Sequence, residues 1–102
     1  MTAQQRKDPP VPDEEVIGRA RYYYEEGTVV RYPHFDTELR AAGATHLDVE
    51  FILFRTGRFK KKDYRRGRWR YVISGEDDTG DLLEIVIEFG LKNCTLRLIT
   101  DY

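Results

Sequence analysis

The sequence predicts an α+β fold, with two to three N-terminal helices packed on a four-stranded antiparallel β-meander. Three observations lead there. Apolar residues recur at helical spacing through the first half of the chain, and from Arg58 onward the apolar period changes to two. The strand-like runs are also joined by short turns, which is how antiparallel neighbours are connected. Helices first and strands after is the α+β order. At 102 residues the chain suits one domain, read as residues 13–102 behind a flexible leader, residues 1–12. The leader is polar and holds Pro9, Pro10 and Pro12.

Asp13 reads as the cap of the first helix, with Glu14 and Glu15 in the turn where the helix dipole favours anions. Val16, Ile17, Ala20, Tyr23 and Tyr24 continue at helical spacing, and Gly27 ends the helix at C′. Thr28 to Tyr32 is β-branched and aromatic, and reads as an extended connector stopped by Pro33. A short helix is expected over Phe35–Ala42, ended by Gly43. Thr45 and Asp48 form an approximate capping box for a third helix, which Gly57 closes. That helix carries Val49, Ile52, Leu53 and Thr56 on one face.

Phe59–Tyr64 is the first expected strand, followed by the turn Arg65-Arg66-Gly67-Arg68. In the second, Trp69, Tyr71 and Ile73 alternate with Arg70, Val72 and Ser74, so the first set is assigned to the core. Residues 76–81 turn, Leu82–Phe89 forms the third strand, and Gly90–Asn93 turns again. The last strand starts at Cys94, expected as a small buried hydrophobe.

The composition is 40% hydrophobic and 34% charged, a globular balance with no apolar run long enough to cross a bilayer. A single cysteine and the absence of an N-terminal apolar segment point to a cytoplasmic protein. The net charge of -1 hides a strong asymmetry. Residues 1–54 hold six Lys/Arg against ten Asp/Glu, and residues 72–102 hold two against seven. Residues 55–71 hold nine (Arg55, Arg58, Lys60, Lys61, Lys62, Arg65, Arg66, Arg68, Arg70) against Asp63 alone. One sign concentrated in a sixth of the chain attracts a polyanion or an acidic partner. The plainer alternative is a hairpin whose cations keep a sheet edge from aggregating.

Phosphate-loop, zinc-cysteine and nucleophile-elbow patterns are absent from the sequence. His34 and Glu38 are four apart, but one such pair is too little for a metal site. Neither metal nor cofactor is therefore expected. His34, at the mouth of the second helix, is the natural acid or base by residue type. The plainer reading, and the favoured one, is a histidine that caps the helix or packs with one nitrogen hydrogen-bonded. His46 reads as surface.

Taken together, the landmarks from Gly27 to Tyr102 resemble the family catalogued as domain of unknown function 4258. They are VVRYPHF with its histidine, ATHLDVEFILFRTGRF, RWRYVISGED, LLEIVIEF and the LRLITDY ending, in that order. That family looks like a branch of the RelE/ParE/BrnT-like superfold of small toxins. The resemblance implies a metal-independent endoribonuclease of toxin–antitoxin type, an RNA substrate and a cognate antitoxin. It places His34, Arg58, Tyr71 and Tyr102 in the family's positions, with Arg70 beside them. Glu38 stands where family members commonly carry arginine. Arg55, Lys60, Lys61, Lys62, Arg65, Arg66 and Arg68 are the expected nucleic-acid contacts. The alternative is a binding module for RNA or a protein that cleaves nothing.

Overall fold

A computed structural model describes residues 9–99. It is α+β, with three helices on one face of a mixed five-stranded sheet. A 3-10 turn at Asp13–Glu15 leads into α1 (Val16–Glu26), followed by β1 (Thr28–Arg31), α2 (Pro33–Ala41) and α3 (His46–Phe51). A π-turn, Ile52–Thr56, joins α3 to β2 (Arg58–Arg65), β3 (Arg68–Glu76), β4 (Leu82–Gly90) and β5 (Thr95–Leu98). The sheet order is β1-β5-β4-β3-β2.

The four-stranded antiparallel meander is present as β2 to β5, but the expected count was one strand short. The extended run after α1 is a strand, paired in parallel with β5 from Thr28↔Thr95 to Arg31↔Leu98. Four residues carry too little periodicity to distinguish a connector from an edge strand, and their partner lies at the other end of the sequence. The pairing needs a close approach at Gly27. A Cβ there would lie 1.9 Å from the Cys94 carbonyl oxygen. Gly27 is thus required by crowding; its φ of -105° is not left-handed, so the expected C′ geometry does not form.

Two further expectations are corrected. Cys94 is exposed, with a φ of 51° in the turn before β5. The turn lies over residues 91–94, one residue later than the expected 90–93. Asp13 does not cap α1 with its side chain; it belongs to the preceding 3-10 turn and bonds Lys62 instead. The capping box does form, with the Asp48 carboxylate accepting the Thr45 N–H at 2.8 Å. Of the leader, residues 9–12 are described. Val11 among them is buried, with its N–H donated to the Tyr71 hydroxyl at 2.9 Å.

The main core lies between helices and sheet. Val16, Ala20, Phe35, Leu39, Val49, Ile52 and Leu53 meet Tyr71, Ile73, Ile85, Ile87, Leu96 and Leu98. Tyr71 and Ile73 are buried and Trp69 partly so, as the alternation in β3 predicts. The opposite sheet face holds a small cluster of Val72, Val86 and Ile99 beside Tyr32. Around it stand most of the charged side chains of β2 and β3.

Candidate nucleic-acid interface

The basic stretch enters the fold at the π-turn. Its wider ring is closed by the Gly57 N–H on the Ile52 carbonyl at 2.6 Å, a geometry often found at functional positions. The turn buries Ile52 and Leu53 side by side and leaves Arg55 exposed. Thr56 donates its hydroxyl to the Glu76 carbonyl at 2.7 Å, tying the turn to the end of β3. Backbones approach so closely here that side chains are excluded. A Cβ on Gly57 would lie 2.4 Å from the Ile52 carbonyl oxygen, and one on Gly75 2.6 Å from the Thr56 hydroxyl.

These segments enclose a groove of about 800 Å³, lined by residues 55–60, by Ser74, Gly75 and Glu76, and by Leu82. Three cations face it. Lys60 is paired with Glu84. Arg55 lies over the Phe51 ring, 5.5 Å from its centroid. Neither Arg55 nor Arg58 has a carboxylate partner among the described residues. Leu82 is 69% exposed at the rim.

The hairpin does not present the cations of the basic stretch on one face. A bulge between Phe59 and Lys61 shifts the register, so Lys61 pairs with Val72 and Lys62 with Tyr71. Cross-strand partners share a face. Lys61 therefore stands on the open side with Arg70, while Lys62 stands on the helix side and bonds Asp13 at 2.7 Å. A transverse row of alternating charge crosses the open side: Asp63 opposite Arg70, Arg70 on Glu88 at 2.9 Å, and Glu88 opposite Arg97. Glu88 is 2% exposed and also takes Arg68 at 3.5 Å. The Arg70 guanidinium, whose side chain is 14% exposed, is thus committed to a buried carboxylate. Arg65 pairs with Asp63 at 3.4 Å. Arg66 and Gly67 form the two-residue hairpin loop with φ values of 51° and 82°, the left-handed pair of a type I′ turn. Arg66, at its tip, makes no ion pair among the described residues.

The residues assigned to a catalytic role are dispersed. His34 is exposed in the first turn of α2, directly after β1 at one edge of the sheet, while β2 with Arg58 is the other edge. No hydrogen bond or ion pair joins His34 to Arg58, Arg70 or Tyr71 among the described residues. Tyr71 is 2% exposed in the core. Burial is the main reason its phenol ionises at higher pH than usual, against the opposing pull of Lys62 and Arg19. Arg58 alone of this set lines the groove. Glu38 is exposed without an ion pair among the described residues. Tyr102 lies outside the described residues.

Several participants were not singled out from the sequence. Glu88, Thr56, Gly57 and Gly75 are among them. The alternation in β4 marks Glu84 and Glu88 as its polar side in the sequence, without saying which cations they meet. A second polar cluster sits near β1. The Arg31 Nη1 lies 2.9 and 2.8 Å from the two ring nitrogens of His46. A neutral imidazole has one acceptor nitrogen, so Arg31 donates to one of the two and not to both. The Asp36 Oδ1 lies 3.8 Å from His46 Nε2. Tyr24 donates to Glu50 at 2.7 Å, and burial with that carboxylate pushes its phenol up to about 12. In the β3–β4 loop, bonds from Thr79 and the Asp81 N–H hold the Asp77 carboxyl below its usual value.

No cluster of three or more His, Cys, Asp or Glu side chains suited to a metal ion occurs among the described residues, and none of their helices is long and apolar enough to cross a membrane. Comparisons with models of known families, with curated proteins and with solved structures found no match for this chain.

Proposed function

We propose that this chain is a small cytoplasmic RNA-binding module, toxin-like in the sense of its sequence resemblance, that grips the phosphate backbone through the β2–β3 hairpin and the adjoining groove. The observation carrying the reading is the pair Arg55 and Arg58, two arginines that line the groove with no carboxylate of their own among the described residues. Guanidinium forks match phosphate oxygens in pairs and keep their charge at any physiological pH. Arg66, at the hairpin tip and the opposite end of β2 from Arg58, adds a third cation without a carboxylate among the described residues. A neutral chain gains local attraction for a polyanion in this way without becoming generally sticky.

The dispersal of His34, Arg58 and Tyr71 favours binding over cleavage, since acid–base chemistry needs its groups within hydrogen-bond reach of one proton. An antitoxin-like protein partner would be a competitor for the same cations. The test is anisotropy of a labelled single-stranded RNA 12-mer at low and moderate salt, with the RNA recovered and run on a denaturing gel. Tight binding that weakens steeply with salt, and intact RNA, are expected. No binding at low salt would overturn the reading. Cleavage that disappears in His34→Ala would replace it with the nuclease.

A further inference from the structure

We propose that the helix side of the β2–β3 hairpin carries a second anion site, formed by Lys62, Arg19 and the hydroxyl of Tyr71, and that residues 9–15 of the chain occupy it as an internal ligand. Lys62 stands directly across from Tyr71 on the face that packs under the helices. Arg19 stands on α1, where it pairs with Glu15 of the turn that also meets Lys62 through Asp13. Two cations and a hydroxyl, from three elements, are thus tied to one short segment.

What fills that place is a single short segment. Val11 donates its N–H to the Tyr71 oxygen at 2.9 Å, across sixty positions of sequence. Asp13 puts Oδ1 on the Lys62 ammonium at 2.7 Å, and Glu15 puts Oε1 on Arg19 at 3.1 Å. Each cation of the site is met by a carboxylate of the same turn, which is itself closed by the Glu15 N–H on the Pro12 carbonyl at 2.8 Å. The phenol's own proton has no acceptor among the described residues. A buried hydroxyl with an unused donor across from a lysine suits a ligand that offers anionic oxygen. The carboxylates of Asp13 and Glu15 are both about half exposed, at 56% and 52%. Exposed pairs of that kind are weak and readily exchanged for a competing anion.

The ligand class is a phosphate-type group, which the phosphodiester backbone of RNA would supply; only that natural source rests on the RNA-binding reading. An incoming phosphate takes Lys62 and Arg19, accepts a hydrogen bond from the Tyr71 hydroxyl, and releases residues 9–15. The segment competes at high effective concentration because it belongs to the same chain.

The test uses inorganic pyrophosphate and the RNA 12-mer as separate probes on the full chain. Asp13→Asn with Glu15→Gln removes both internal carboxylates at exposed positions and should tighten pyrophosphate binding by about threefold to tenfold. Adding Lys62→Gln should abolish that gain. Val11→Pro deletes the N–H without changing charge and should tighten binding in the same direction. In the wild type, hydrogen exchange over residues 9–15 should rise when pyrophosphate is added. Equal affinities in wild type and the double variant, or a gain that survives Lys62→Gln, would overturn the internal ligand. Tightened pyrophosphate binding without RNA binding at low salt would overturn the RNA reading and leave the internal ligand standing.

Discussion

Glu88 is the carboxylate on which the open face depends. It lies 2% exposed between Arg70 and Arg68, in a row that alternates sign across the sheet. Removing one member of such a pair leaves the other charge without compensation where water is scarce. Glu88→Ala is therefore expected to lower stability by about 2–4 kcal/mol in chemical denaturation, well above the cost of an exposed pair. Glu84→Ala, whose partner Lys60 is half exposed, should cost under about 1 kcal/mol. Tyr24 yields a pH prediction. Its phenol is raised to about 12, mainly by burial and then by the Glu50 carboxylate. A group raised in the folded state stabilises fully below its unfolded value near 10, and that contribution is lost as pH climbs through 12. Stability should fall over that alkaline window, and Tyr24→Phe should flatten the fall measured by denaturation at each pH. These residues also mark where sequence reading stops. The alternation in β3 assigned Tyr71 to the core correctly, because a period of two needs only neighbours in sequence. The partnership of Arg70 with Glu88 depends on strand register, which periodicity does not supply, so Arg70 read as an available member of the candidate site.

The elements themselves differ in how strongly local sequence specifies them. α1 has an exposed glycine, Gly18, with open space where a Cβ would go. Gly18→Ala should stabilise by about 0.5–1 kcal/mol, since glycine loses more backbone freedom on entering a helix. Gly27→Ala is the opposite case. Its Cβ would be driven into the Cys94 carbonyl, and β1 and β5 would have to separate. A loss of about 2–4 kcal/mol is expected, measured as a drop in melting temperature. The capping box at Thr45 and Asp48 was legible because it is local. The π-turn was not: Ile52–Thr56 carries the apolar spacing of an ordinary helix, and its wider ring arises from the docking of Thr56 and Gly57 on the end of β3. The bulge between Phe59 and Lys61 likewise has no local signature, yet it sends Lys62 to the helix side and leaves Lys61 with Arg70.

On the scale of the whole molecule, the charge asymmetry read from composition survives folding only in part. Internal carboxylates meet Lys60, Lys62, Arg65, Arg68 and Arg70, whereas Arg55, Arg58 and Arg66 have none among the described residues. The salt dependence of RNA binding follows from that smaller number. Three phosphate contacts on a single strand give a slope of log affinity against log salt near about -2. Arg55→Gln with Arg58→Gln should bring it to about -0.7. A slope that tracks all nine cations of the stretch would mean that the internal pairs open on binding.

The parallel pairing of β1 with β5 bears on the order in which the protein can form. Residues 28–31 find their partner at residues 95–98, so the sheet's last edge is laid down only once the chain through residue 98 is available. During synthesis the helices can assemble early, but β1 stays without a neighbour until the final strand has emerged. Contacts of such long sequence separation slow folding, because a large loop must close before they contribute. A chain cut after Gly90 keeps the hairpin and its arginines, yet it leaves β1 with no strand to join. The basic surface is local to the middle of the sequence, while the scaffold that holds it is completed from both ends.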